Sequence, residues 1–318
     1  MAKVVFTARL PEGAPPWRPR LAGHVVCEPP GPRWDRATWL AAAADADALV
    51  TLLDDRVDAA TLDAAPRLRV IANYAVGYDN VDLAAAATRG VIVTNTPDVL
   101  TEATADFTWA LILAAARHLG DGERLLRAGR WNGWAPEFLL GTELAGRTLG
   151  LIGLGRIGRA VARRAQGFAM RVIAADTRGP RTGRDGDVTW VGFDELLADS
   201  DVVSLHCPLT PATRGIIDRG ALARMRRGAI LINAARGACL DDDAVADALE
   251  AGHLGAAGLD VYRAEPAIPP RLAAAPRTVL APHLGSATTT ARVRMAELCI
   301  DAVCDVLAGR EPPNRVRA

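Results

Sequence analysis

The sequence predicts an α/β protein made of two doubly wound parallel-sheet domains, and three observations carry that expectation. Short β-rich runs alternate with Ala-rich helical stretches through the first hundred residues. The same alternation resumes at Thr148, after a long helical segment. A chain of 318 residues, 50% of them hydrophobic, is too long for one small domain and suits one large or two medium ones.

In the first series Val4–Thr7, Ala48–Leu53, Arg69–Asn73 and Val91–Asn95 read as strands. Ala59–Ala65 and Val81–Thr88 suit short helices among them, and a strand–helix alternation implies parallel pairing. The proline-rich stretches Pro11–Arg20 and Pro29–Trp34 are expected to be loops. A long helix should start at Thr101 and run to Ala116, followed by an irregular arm, Gly129–Gly141, that carries Trp131 and Trp134. Strands of the second series are expected at Thr148–Gly153, Arg171–Ala175, Asp201–His206, Ala229–Asn233, Ala256–Asp260 and Thr278–Ala281. A final helix, roughly Thr289 to Leu307, is long enough to return to the first domain.

Composition narrows the function classes. The 37 basic and 37 acidic residues balance, so there is no electrostatic reason to expect nucleic acid or an anionic membrane as partner. No run approaches the roughly 20 apolar residues needed to span a bilayer, and Met1–Leu10 reads as a strand, not a secretory signal. Five cysteines with no CxxC spacing support neither a disulfide framework nor a metal site. A cytoplasmic protein without a structural metal is expected.

The chemistry begins at Leu149-Gly150-Leu151-Ile152-Gly153-Leu154-Gly155-Arg156-Ile157-Gly158, an apolar strand running into a glycine turn and a helix. Gly153 allows the tight turn, Gly155 lets the backbone approach a pyrophosphate, and Gly158 permits close packing of helix on strand. The helix N-terminus offers unpaired N–H groups to the phosphates. The second strand ends at Asp176, where a carboxylate can accept from both adenosine ribose hydroxyls and would repel a 2′-phosphate. NAD is therefore expected over NADP, with Arg178, Arg181 and Arg184 close enough to soften the discrimination.

Three further segments stand at strand ends of the second series, where open α/β sheets bind ligands. They are Ile232-Asn233-Ala234-Ala235-Arg236-Gly237, Leu259-Asp260-Val261-Tyr262-Arg263-Ala264-Glu265-Pro266, and Pro282-His283-Leu284-Gly285-Ser286. In this order the sequence resembles the D-2-hydroxyacid dehydrogenase family over nearly its whole length. The resemblance implies catalytic roles for Arg236, Glu265 and His283. The planar fork of Arg236 matches a 2-keto acid's carboxylate and carbonyl. His283 is the candidate acid for the carbonyl oxygen. Glu265 would orient the imidazole and favour its protonated form.

The resemblance also implies cofactor contacts from Gly153, Gly155, Arg156, Ile157, Gly158 and Asp176. Cys207, Pro208 and Thr213 would lie beside the ring system, with Cys207 packing and not reacting. Thr104, Ala234, Ala235, Asp260, Gly285 and Ser286 would lie at the nicotinamide half, with Arg236 and His283. In the family the backbone N–H groups at Val76 and Gly77 hold the substrate carboxylate, and Leu52 and Leu53 could wall the pocket. The implied architecture is a Rossmann cofactor domain, residues 99–288, inserted into a flavodoxin-like substrate domain, residues 1–98 and 289–318. A cleft closed by a hinge and a homodimer through the Trp-bearing arm complete the expectation.

Within the family, Glu265 disfavours formate dehydrogenases, which carry glutamine there, and Val76 disfavours phosphite dehydrogenases, which carry lysine. The runs Leu52–Asp58, Asn73–Asp79 and Val99–Asp106 look most like glyoxylate and hydroxypyruvate reductases. Those often prefer NADPH and lack the acidic residue, whereas Asp176 argues for NADH. A small keto acid is the expected substrate. Phosphohydroxypyruvate, with Arg56 as phosphate contact, is the alternative. A nucleotide-sensing corepressor-like binding protein is the rival from another class.

Overall fold

The computed structural model describes residues 1–317 and falls into two compact units, Met1–Leu100 with the segment from Ala287 onward, and Thr101–Ser286. In the first unit β1 (Lys3–Phe6), β2 (Val25–Cys27), α1 (Arg36–Ala43), β3 (Ala48–Thr51), α2 (Ala59–Asp63), β4 (Val70–Asn73), α3 (Leu83–Thr88) and β5 (Ile92–Thr94) follow in order. The five strands are all parallel in the order β2-β1-β3-β4-β5, the flavodoxin-like arrangement. β3 and β4 are buried at every position, as sheets covered on both faces require. Each helix starts on an aspartate (Asp35, Asp58, Asp82) whose carboxylate accepts from the N–H three residues on. The C-terminal helix, Thr289–Leu307, lies against β3, β4 and β5 and buries Met295, Cys299, Ile300 and Val303. Beyond it the Val316 N–H donates to Val93 O at 2.8 Å.

Besides α1, which the sequence reading did not name, two elements of this unit differ from expectation. β2 is a short edge strand with Val25 and Val26 exposed, so it carries no alternation to read. The region Pro11–Arg20 is not loop throughout, because a 3-10 turn forms at Arg18–Leu21 and buries Leu21.

The second unit opens with α4 (Thr101–Ala116) and α5 (Leu119–Arg127). The series then runs β6 (Thr148–Ile152), α6 (Arg156–Ala165), β7 (Arg171–Ala175), β8 (Gly183–Asp185), β9 (Val188–Trp190), α7 (Phe193–Asp199) and β10 (Val202–Leu205). It ends with α8 (Arg219–Arg224), β11 (Ile230–Asn233), α9 (Asp242–Glu250), β12 (Ala256–Leu259), α10 (Pro270–Ala274) and β13 (Thr278–Leu280). The sheet order is β13-β12-β11-β10-β6-β7-β9-β8, parallel except for the β8–β9 pair. Its centre, β9-β7-β6-β10-β11-β12, is the 3-2-1-4-5-6 order whose reversal lies between β6 and β10.

Apolar layers cover both faces. Leu205, Leu231 and Leu259 belong to one, and Ile112, Leu149 and Leu151 to the other. Trp109 stacks on Phe168 at 4.3 Å and donates to Val161 O. α5 and the β8–β9 hairpin go beyond the expected elements. Gly120 and Gly122 sit inside α5 and argue against a helix locally, yet a Cβ on Gly120 would approach Thr278 O to 3.1 Å. Among the described residues no helix is long and apolar enough to cross a membrane.

Candidate active site

The glycine turn leaves β6 and enters α6 at the reversal of strand order. Gly153 has φ 94, and a Cβ there would stand 2.9 Å from His206 O. At Gly158 a Cβ would meet Gly153 O at 2.5 Å, so helix and turn touch at backbone distance. Gly155, the N-cap of α6, has no capping side chain, and a Cβ added to it would meet nothing within 4 Å. The aspartate-capped helices of this chain spend their first N–H groups on carboxylates, whereas no side chain caps α6. This open, glycine-lined helix end fits a dinucleotide pyrophosphate. Arg156 and Ile157 are its first residues.

Asp176 follows β7 directly. Its carboxylate accepts from the Arg178 N–H and guanidinium at 3.0–3.1 Å and lies 3.5 Å from Arg181. The Arg178 side-chain bond first, then its backbone N–H and the two positive charges, hold this carboxyl below its ordinary range against partial burial. Arg181 also lies 5.0 Å over the Trp190 ring.

Arg236, Glu265 and His283 all belong to the second unit. His283 Nδ1 lies 2.8 Å from Glu265 Oε2, and Glu265 Oε1 accepts from the Tyr262 N–H at 2.9 Å. Burial pushes the Glu265 carboxyl up. The bonds from His283 and Tyr262, with the charges of His283 and Arg236, outweigh it and hold the group below the usual carboxylate range. His283 takes φ 55, a left-handed conformation that is uncommon outside glycine. What holds it there is Asp260. Its backbone carbonyl accepts from the His283 N–H at 2.8 Å, and its carboxylate accepts from Leu284 N–H at 2.6 Å and Gly285 N–H at 2.8 Å. Asp260 is 1% exposed, and burial pushes its carboxyl up despite those bonds. Thr104 is buried beside Gly285, whose added Cβ would come 3.3 Å from it, and Ser286 is half-buried.

Arg236 is half-buried and donates to Ala235 O at 2.8 Å. Asn233 folds this turn by accepting from the Ala235 N–H and donating to Arg236 O, with Ala234 and Ala235 half-buried within it. The Thr213 hydroxyl donates to Pro208 O at 2.6 Å and accepts from Thr210 N–H, closing the turn after β10. Cys207 is buried, and contact with the Cys239 thiol, then burial, push its own thiol strongly up. That leaves it packed and unreactive. His206 is pushed down to about 4 by burial and sits neutral against Ser204.

Leu53, Val76 and Gly77 lie in the first unit. Leu52 N–H donates to Asp55 Oδ2 at 2.8 Å, and Asn80 Nδ2 donates to Leu52 O and Asp55 O at 3.1 and 3.0 Å. These bonds fix the turn that carries Leu53. Arg56 is not presented alone, because its Nε lies 3.1 Å from Asp58 Oδ2.

Two groups of residues escaped the sequence reading. Gly237 packs so closely on the Tyr262 peptide that a Cβ would fall 1.9 Å from its carbonyl carbon. The sequence signal was a glycine directly after the arginine. Asn73, Asn80 and Asn95 form a side-chain amide network under the Val76–Gly77 loop. Nothing local distinguishes them from turn asparagines.

Comparison with known proteins agrees with this geometry. Residues 109–285 match the family described as D-isomer specific 2-hydroxyacid dehydrogenase, NAD binding domain. A glyoxylate reductase of Thermococcus kodakarensis is 44% identical over 99% of this chain and 96% of its own length. A solved protein of Thermus thermophilus superposes with a TM-score of 0.91 at 48% identity, covering 99% of this chain and 100% of that one. An NADPH-dependent glyoxylate/hydroxypyruvate reductase of Sinorhizobium meliloti, solved with NADP and malonate, gives 0.86 at 33% identity over 99% and 96%. This chain belongs to the D-isomer specific 2-hydroxyacid dehydrogenase family.

Proposed function

We propose that this oxidoreductase uses NADH to reduce glyoxylate to glycolate, or hydroxypyruvate to D-glycerate, with Arg236, Glu265 and His283 as its catalytic residues. The observation that carries the reading is the Glu265–His283 pair at 2.8 Å, anchored through Tyr262. With Nδ1 turned to Glu265, Nε2 is the ring nitrogen left to face a substrate. When bound, the nicotinamide supplies the hydride that reduces C2 of the keto acid. Arg236 holds the carboxylate and the carbonyl with its fork and stabilises the charge growing on oxygen. His283 gives that oxygen a proton from Nε2. Glu265 stays ionised throughout and stabilises the protonated ring. Val76 and Gly77 take the carboxylate on their N–H groups, and Leu53 supplies an apolar wall suited to a short substrate.

The substrate class is supported by the names of the Thermococcus and Sinorhizobium relatives. NADH is favoured by Asp176, which stands at the end of β7 where the adenosine ribose hydroxyls would be met. A homodimer is supported by the arm after α5, where Trp131 is 53% and Trp134 81% exposed, apolar surface that a second copy would cover. The test is NADH oxidation with glyoxylate, hydroxypyruvate, pyruvate and phosphohydroxypyruvate, repeated with NADPH. Turnover near or above ~1 per second with one of the first two, and better with NADH, is expected. NADH binding without turnover of any of the four overturns the reading.

A further inference from the structure

The loop Tyr74–Tyr78 is shaped by side-chain amides that no catalytic step uses. Three consecutive carbonyls in it are held. Ala75 O accepts from the Thr96 N–H at 2.9 Å, Val76 O from Asn95 Nδ2 at 2.8 Å, and Gly77 O from Asn73 Nδ2 at 2.8 Å. A trans peptide is planar, so fixing each carbonyl aims the next N–H in the opposite direction. The three N–H groups so aimed are those of Val76, Gly77 and Tyr78, and none donates to any group among the described residues. Three adjacent donors without an acceptor form a concavity that suits a carboxylate.

The Asn73 and Asn80 amides cannot turn round. Asn73 is fully buried, and its Oδ1 accepts from Thr51 Oγ1 at 3.0 Å and Asn80 Nδ2 at 3.1 Å, which leaves its nitrogen for Gly77. Asn80 faces the backbone carbonyls of Leu52 and Asp55, which can only accept. Asn95 is tied at its own backbone, its carbonyl accepting from Asn314 Nδ2 at 2.6 Å. The network thus joins the turn bearing Leu53 to the loop bearing Val76 and Gly77.

We infer that Asn73 and Asn95 are positioning residues for substrate binding, which orient the peptide planes of the carboxylate-binding loop before a substrate arrives. The inference rests on the 2-keto acid reading above and adds to it the residues that set the donor directions. Loss of one amide frees a plane to rotate, and binding must then re-order it. The cost falls on the carboxylate and not on the dinucleotide, whose glycine turn is in the other unit.

The test uses the full-length protein and the variants Asn95→Ala and Asn95→Asp. Asn95 is the better site because it is half-buried, whereas Asn73 lies in the core. Both variants remove the donor, and the second keeps the shape. Steady-state kinetics with glyoxylate, inhibition by oxalate, NADH affinity by fluorescence and Tm are measured together. The expected result is a rise of about tenfold or more in KM for glyoxylate and in the oxalate inhibition constant, equivalent to ~1.4 kcal/mol. kcat should stay within about threefold and NADH affinity within about twofold. A folded Asn95→Ala variant with KM and oxalate inhibition within about twofold of the parent overturns the inference, as does a fall in Tm with those constants unchanged. If the unsubstituted protein turns over no 2-keto acid, the underlying reading has failed and this inference with it.

Discussion

Gly237→Ala is the substitution whose effect follows most directly from the packing. The new Cβ would stand 1.9 Å from the carbonyl carbon of Tyr262, 2.3 Å from its oxygen and 2.4 Å from Arg263 N. All three are backbone atoms, so no side chain can swing away. Carbon atoms rest about 3.5 Å apart, so the two segments must separate by roughly 1.5 Å. If the segment after β11 moves, it carries Arg236 with it. If the Tyr262 segment moves, the 2.9 Å bond from its N–H to Glu265 lengthens, and the 2.8 Å contact of Glu265 with His283 is disturbed. Either shift misplaces a catalytic group by more than an ångström, a displacement worth ~100-fold in rate. Overpacking adds about 1–3 kcal/mol of destabilisation. The assay is NADH oxidation with glyoxylate, alongside NADH affinity and Tm. The expected outcome is kcat/KM lowered about 100-fold with NADH affinity nearly unchanged, since Gly153–Gly158 lie on a different turn. A folded variant that keeps a third or so of the parent kcat/KM would refute the claim that this contact sets the geometry.

Three more outcomes are expected. His283→Asn removes the acid while keeping a residue type that tolerates the left-handed backbone, and should lower kcat by ~10²–10⁴ with NADH affinity intact. Asp176→Ala should shift the NADPH/NADH ratio of kcat/KM toward NADPH by about tenfold or more, because it removes the repulsion and leaves Arg178 and Arg181 for a phosphate; an unchanged ratio would mean the ribose is met elsewhere. Glu265 is held below its ordinary range, so the stability it lends is complete above the unfolded value near ~4.3 and is lost as pH falls through the lower folded value. The Tm difference between parent and Glu265→Gln should therefore hold steady between about pH 5 and 6 and shrink below about pH 4.

The parts legible in the sequence were those whose signal is local. Arg171–Ala175 and Thr289–Leu307 appear with the expected limits, the helix because Thr288 caps it by accepting from the Ala291 N–H at 3.1 Å. The glycine turn announced itself by spacing, and Glu265 and His283 by their segments at strand ends. What was not legible depends on partners distant in sequence. β8 is three residues long and exists through its pairing with β9. α5 carries a glycine at position 120 where a neighbouring strand carbonyl, Thr278 O, leaves little room for a Cβ. α1 is an eight-residue helix hidden behind a proline-rich stretch, with only Asp35 to mark its start. Asn95 reaches Val76 across a strand pair, and Asp260 grips a loop more than twenty residues later. Such contacts are set by register, which no short window of residues contains.

The first unit is closed by residues from both ends of the chain, and this orders events during synthesis. β1 to β5 leave the ribosome first, but the helix that lies against β3, β4 and β5 begins only at Thr289. The Tyr74 hydroxyl likewise waits for the Arg292 carbonyl, to which it donates at 2.6 Å. All of Thr101–Ser286 must be translated in between, which at ~5–20 residues per second takes roughly 10–40 seconds. Through that interval β1 to β5 stand without that helix, whereas the second unit has its last strand, β13, complete before Thr289 is made. The unit begun first is therefore finished last.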